Sequence, residues 1–189
     1  MLKLRHISRK EFRVSLIATL GVITLGVLPG VVIAVGLAML LVLIRASSPR
    51  DALLGRMPGI DGFHSINDHP QAVTIPGLMI YRFEAGLLFY NSDCFKSRIR
   101  AHVKETSETP QCFLLDAESM PLLDSTGAAC IEEIVEELSR QSIGFAVARP
   151  HARFRLLFER TGLNEKIGAG NLFPTIETAV AALQSPEPF

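Results

Sequence analysis

The longest apolar stretch of the chain runs from Val14 to Ile44, with no Asp, Glu, Lys, Arg or His and only Ser15, Thr19 and Thr24 as polar side chains. So uniform a run predicts helix in a membrane, because no face of it is left polar. As one straight helix it measures about 46 Å against a hydrocarbon core of about 30 Å. The excess points to a break in "VLPGVV", where Pro29 removes a backbone donor and Gly30 permits a reversal. Two short helices, Phe12 to Leu28 and Val31 to Ala46, then form a transmembrane hairpin over residues 14–46. One long kinked anchor helix is the alternative.

Beyond this run the pattern changes. Residues 47–71, "SSPRDALLGRMPGIDGFHSINDHPQ", hold Pro, Gly, Ser and Asp without sustained periodicity and read as a linker. The segment "AVTIPGLMIYRFEAGLLFYN" then predicts short strands around Pro76-Gly77 and Ala85-Gly86. Asn91 or Ser92 can cap a helix whose Phe95, Ile99 and Val103 recur at four-residue spacing. "QCFLLDA" predicts a buried strand, "STGAACIEEIVEELSRQ" a helix, "IGFAVAR" a strand, and "HARFRLLFERTGL" a helix with Phe154, Leu157 and Phe158 on one face. "PTIETAVAALQ" closes with a helix capped by Thr175. Such alternation implies an α/β sheet with flanking helices over residues 72–185, followed by a short tail, 186–189.

Charge sharpens the membrane reading. Residues 1–56 carry eight Lys/Arg and two Asp/Glu, whereas residues 57–189 carry eleven and seventeen. The basic residues flank the apolar run: Lys3, Arg5, Arg9, Lys10 and Arg13 in a basic segment, 1–13, and Arg45, Arg50 and Arg56 after it. Basic flanks favour the cytoplasmic side, so a hairpin with both ends inside satisfies the rule and a single span does not. The soluble part is mildly acidic with scattered charges, which gives no footprint for nucleic acid. "SRKEF" carries Arg9-Lys10 instead of two arginines, and no export cleavage site follows its overlong apolar region.

Candidate chemistry is thin. Cys94, Cys112 and Cys130 are an odd set without C-x-x-C spacing and read as reduced core thiols. His64 and His69 with Asp61 and Asp68 could gather a metal, but their Gly/Asn/Pro-rich setting reads as polar loop. His151 reads as a helix-start residue facing solvent. The carboxylate pairs are Asp116 with Glu118, and Glu132-Glu133 with Glu136-Glu137, the latter on one solvated helix face. Phosphate loop, dinucleotide fingerprint, H-E-x-x-H and G-x-S-x-G are all missing from the sequence, so we expect no enzyme, no cofactor and no metal.

"SRKEFRVSLIATLGVITLGVLPGVVIAVGLAMLLVLIRASSP", "LLGRMPGIDGF", "PGLMIYRFEAGLLFYNSDCF", "LLDAESMPLLDSTGA", "GFAVARPHARFRLLFERTGL" and "KIGAGNLFPTIETAVAAL" together resemble the carboxy-terminal end of a SulP-family sulfate permease. The resemblance implies that the first block is the last two membrane helices of such a transporter, and that residues 72–185 are its cytoplasmic STAS domain, a regulatory domain shared with anti-sigma-factor antagonists. It implies a multi-pass location in the cytoplasmic membrane, and dimers. In this family the anion sits between half-helices whose amino ends face it. Those helices lie earlier in the transporter, so this chain is expected to hold no substrate site and to transport nothing without core helices. The alternative is an independent membrane-anchored regulatory module that binds a protein partner or a nucleotide.

The residues that identify the domain best are Asp124, Ser125, Thr126 and Gly127. In anti-sigma-factor antagonists the serine of this loop is phosphorylated by a partner kinase, and Ser125 matches it. A phosphate there would bring about −1.5 to −2 charges to a helix amino end. The same residues are also ordinary helix caps, with Gly127 giving close backbone approach. Both readings stand at this point.

Overall fold

The computed structural model describes Leu16, Thr19, residues 27–106 and residues 108–184. The chain divides into two compact units, Met1–Ser48 and Pro49–Phe189.

In the first unit, helix α1 spans Val27–Ala46, and its side chains are almost all exposed. Twenty residues at 1.5 Å each give about 30 Å, the thickness of a hydrocarbon core. Ser47 closes it, donating from N at 2.9 Å and from Oγ at 2.8 Å to the Leu43 carbonyl. Pro29 and Gly30, expected to make a hairpin turn, are helical instead. Proline is tolerated here because the first N–H groups of a helix have no intrahelical acceptor to lose. Of the first leg, Phe12 to Leu28, Leu16 and Thr19 are helical and the stretch before Val27 otherwise lies outside the described residues. The basic segment 1–13 and the tail 186–189 lie outside them too.

The second unit is built on a six-stranded mixed sheet in the order β2-β1-β3-β4-β5-β6. The strands are β1 Asp51–Arg56, β2 Phe63–Ser65, β3 Leu78–Phe83, β4 Cys112–Asp116, β5 Gly144–Ala148 and β6 Leu172–Phe173. β1 runs antiparallel to both β2 and β3, whereas β3 to β6 are mutually parallel. The helices are α2 Ser92–Glu105, α3 Ser125–Arg140, α4 Ala152–Thr161, α5 Leu163–Ile167 and α6 Ile176–Leu183.

This corrects the expected linker. Residues 47–71 contribute two strands, and the compact unit that holds the sheet begins at Pro49. Gly55 shows why the segment lacks a clear strand pattern. A Cβ there would stand 2.8 Å from the Val73 carbonyl oxygen, so the position must stay glycine for the returning chain to pair with Arg56. The two 2.9 Å bonds between Arg56 and Val73 carry that pairing.

The sheet buries both faces, as its near-continuous apolar strands require. On one face Met79, Tyr81, Phe83, Phe113, Leu115, Phe145 and Val147 pack with Phe95 and Ile99 of α2, Ile131, Ile134 and Leu138 of α3, and Phe154 and Phe158 of α4. On the other face Leu54, Ile80, Leu114 and Ala146 pack with Ile176, Ala179 and Val180 of α6. Thr175 caps α6 in a reciprocal box with Thr178, as expected from the sequence. Asn91 stands at the cap position of α2, yet its side chain faces away from that helix.

Candidate functional site

Parallel strands place the starts of α2, α3 and α4 at one edge of the sheet, the carboxyl ends of β3, β4 and β5. Asp124 is the cap residue of α3: its Oδ1 accepts the Gly127 N–H at 2.7 Å. Its Oδ2 accepts the Phe89 N–H at 3.0 Å, so one carboxylate joins the helix start to the loop that follows β3. That loop is tied on twice more, Leu87 N to Leu122 O at 2.9 Å and Asp124 N to Leu87 O at 3.3 Å. Asn91 closes it internally, donating Nδ2 to the Gly86 carbonyl and accepting the Leu88 N–H at Oδ1, both at 2.9 Å.

Gly127 is buried against this loop. A Cβ on it would fall 2.3 Å from the Leu87 carbonyl oxygen and 2.8 Å from Leu123 Cδ1. Ser125 and Thr126 are exposed, with Phe89 and Leu122 as exposed apolar neighbours. The cap therefore belongs to Asp124, which the sequence reading had shared among three residues. Ser125 is the first residue of the helix, and its hydroxyl is not part of the cap.

The same edge holds a charged cluster. Asp116, with 0% of its side chain exposed, accepts Arg82 Nε at 2.7 Å, Arg149 Nη2 at 2.8 Å and Nε at 3.1 Å, and the Glu118 N–H at 3.2 Å. Donors from three directions replace the water that burial takes from this carboxylate. Arg149 adopts φ 56, a left-handed conformation uncommon outside glycine, and its Nη1 also reaches Glu118 at 2.5 Å. The expected carboxylate pair Asp116 and Glu118 is thus held by two arginines.

A second cluster surrounds Asp51, the first residue of β1. Arg98 Nη1 pairs with its Oδ1, while His102 Nε2 at 3.0 Å and Tyr81 Oη at 3.1 Å both donate to Oδ2. Burial raises the Tyr81 hydroxyl pKa, and burial, opposed by the Glu105 charge and aided by that of Arg98, holds His102 below its ordinary value. The unfolded chain therefore binds a proton at His102 more readily than the fold does, so acidification favours unfolding. Stability contributed by neutral His102 is present above its unfolded pKa of about 6.5 and is lost as pH falls below it. The drop in urea midpoint between pH 7.5 and 5.5 is expected to be smaller in His102→Gln than in the parent.

The acidic face of α3 is more engaged than its solvated spacing suggests. Glu133 receives Lys96 Nζ and Arg100 Nη2, each at 2.9 Å, and Glu137 receives Arg100 Nη2 at 2.8 Å. Glu132 and Glu136 share Lys166 at 2.5 and 2.8 Å. These pairs are partly solvated, so they mainly set register between helices.

Of the other candidates, His64 and His69 lie edge to face with ring centres 5.4 Å apart, and His64 Nε2 is 3.3 Å from the Asp61 carbonyl. Among the described residues no three His, Cys, Asp or Glu side chains gather as a metal needs. His151 stands at the start of α4, where its Nε2 donates to the Glu118 carbonyl at 2.8 Å. Cys112 and Cys130 are buried free thiols that burial pushes up to about 12, which leaves them unreactive. Sequence reasoning missed Phe89, Asp51, Arg82 and Arg149, whose partners lie thirty or more residues away, and it read Asn91 as a helix cap where the side chain bonds the backbone of the preceding loop.

The STAS domain family matches residues 69–179. The probable sulfate transporter Rv1739c of Mycobacterium tuberculosis is 38% identical over 182 residues, covering 96% of this chain and 32% of that protein. High affinity sulfate transporter 1 of Stylosanthes hamata is 30% identical over 189 residues, covering 96% and 28%. The chain thus spans about a third of the length of these curated relatives. Among solved structures, the murine anion transporter Slc26a9 in its inward-facing state superposes with a TM-score of 0.82 at 20% identity, over 97% of this chain and 30% of that one. An anti-sigma factor antagonist from Mycobacterium paratuberculosis gives 0.50 at 20% identity, over 60% of this chain and 91% of that one, a likeness of fold. The family match over residues 69–179 and the alignment of nearly the whole chain agree, and the chain belongs to the STAS domain family, consistent with the carboxy-terminal STAS part of a SulP permease.

Proposed function

We propose that the chain serves as the carboxy-terminal portion of a membrane transporter for sulfate or a related anion, with its STAS domain in the cytoplasm as a regulatory module. The observation that carries this reading is the alignment of 96% of the chain, apolar helix and domain together, with sulfate transporters. Transport itself requires the core helices of such a protein. An anion crossing the hydrocarbon region needs an enclosed path with polar groups facing it, and α1 carries a single charged side chain, Arg45, in its last turn. Partners are therefore the bilayer, a transporter core, a second copy through that core, and a protein that touches the Ser125 loop. Support for the last comes from an exposed serine beside exposed Phe89 and Leu122, on a helix start capped by another residue.

The test is labelled-sulfate uptake into vesicles holding this chain alone, a permease core lacking its own tail, or both. Uptake is expected from the core with the chain and from neither one alone. Uptake by the chain alone, or no gain when the chain joins the core, overturns the reading.

A further inference from the structure

We propose that α2 couples the Ser125 loop to the point where the chain enters the sheet, so that negative charge gained at Ser125 loosens the hold on Asp51, and release of Asp51 loosens the loop. The biological use of this coupling rests on the reading of Ser125 as a regulatory contact; the coupling itself is a property of the fold.

Strand register puts the two places at one edge. β1 starts at Asp51, opposite Phe83, the last residue of β3, and Glu84 N donates to the Arg50 carbonyl at 2.9 Å. β4 ends at Asp116 and leads into the Asp124 loop, so the chain arrives at the edge that presents Ser125. α2 lies between them and is gripped in three ways. The loop before it is bound to the site through Phe89 N to Asp124 Oδ2 and Leu87 N to Leu122 O. Lys96 and Arg100, four residues apart on one side, pair with Glu133 and Glu137 of α3. Arg98 and His102, four residues apart on another side, hold Asp51. Phe95 and Ile99, buried in the core between these rows, keep the helix moving as one body.

Asp124 is where charge at Ser125 is felt. Its two oxygens serve Gly127 N and Phe89 N, and a new anion on the adjacent residue both repels this carboxylate and competes for the N–H groups of the helix start. When Asp124 yields, Phe89 N–H loses its acceptor and the loop that sets the start of α2 shifts. A displaced α2 draws Arg98 and His102 from Asp51. Its side chain is only 6% exposed, so a carboxylate short of donors favours release of the first strand. Linkage makes the effect reciprocal.

The experiment is amide hydrogen exchange on the full chain in lipid nanodiscs. Ser125→Asp is expected to speed exchange of β1 and of Glu84 by about threefold or more, and Asp51→Asn to speed exchange of Leu87 and Phe89 by a similar factor, as reciprocity demands. Arg98→Gln, which leaves the Asp51 charge in place, is the second variant should Asp51→Asn fail to fold, and is expected to act in the same direction. Glu159→Gln, on the exposed side of α4, is expected to change neither set. Changes confined to the mutated end in both directions overturn the coupling. Mass spectrometry of the native protein separates the two ideas: coupled exchange with Ser125 never modified keeps the coupling and removes the phosphorylation reading, whereas modified Ser125 without coupled exchange does the reverse.

Discussion

Asp116→Ala is expected to lower the unfolding free energy by about 3 kcal/mol, the lower end of the range for breaking a buried ion pair. The wild-type carboxylate is fully buried and serves donors from β3, from the residue after β5 and from its own loop, so its loss strands Arg82 and Arg149 together. The lower end applies because both guanidinium groups keep about a quarter of their side-chain surface and can turn to water, with 24% and 27% exposed. Asp116→Asn retains the shape and accepts fewer charged donors, and is expected to fall between the two. Urea unfolding followed by circular dichroism measures all three proteins at constant pH. A loss under about 1 kcal/mol for the alanine variant would place the cluster among ordinary surface pairs and refute the view that it closes this edge of the sheet.

Gly127→Ala is expected to destabilise the domain by about 1–3 kcal/mol, the cost of overpacking, although alanine favours a helix over glycine by about 1 kcal/mol. The sign is decided by space: the new methyl group would sit 2.3 Å from the backbone oxygen of Leu87, which cannot rotate aside. The loop must then part from α3, breaking the Asp124 to Phe89 bond that joins them. Gly170→Ala is the matched control, since a Cβ there meets nothing within 4 Å. Thermal unfolding should separate the two variants clearly. Equal midpoints would mean that the close approach of Gly127 contributes nothing.

Legibility in the sequence follows the range of the interactions. α3 was readable from Ser125 to Gln141 because its capping residues are local, and the structure places the helix at Ser125–Arg140. α6 was readable for the same reason through Thr175. β1 and β2 were not, because short strands between Gly, Pro and Asp acquire their identity only by pairing, β1 with β3 and β2 with β1. Pro29 misled in the opposite way: a helix breaker in general is harmless near a helix start, and the sequence does not say where that start lies.

The candidate site divides along the same line. The Asp-Ser-Thr-Gly order identified the loop, since capping chemistry is written in neighbouring residues. Which of them caps, and what Gly127 must pack against, was decided by the loop of Gly86 to Asn91, brought there by the sheet. The buried charges show it most plainly. Asp116 looked like the partner of Glu118, yet it meets Arg82 and Arg149 across three parallel strands, and Asp51 looked like a linker residue, yet it gathers donors from β3 and α2.

The sequence by itself determined a long apolar run, the alternation of strand and helix, and the loop that marks the family, because hydrophobic patterning and capping act over a few residues. Only the tertiary structure decided that residues 47–71 add two strands to the sheet, which charges are buried together, and that the start of β1 and the start of α3 share one edge, because strand pairing joins residues whose distance along the chain leaves no local trace.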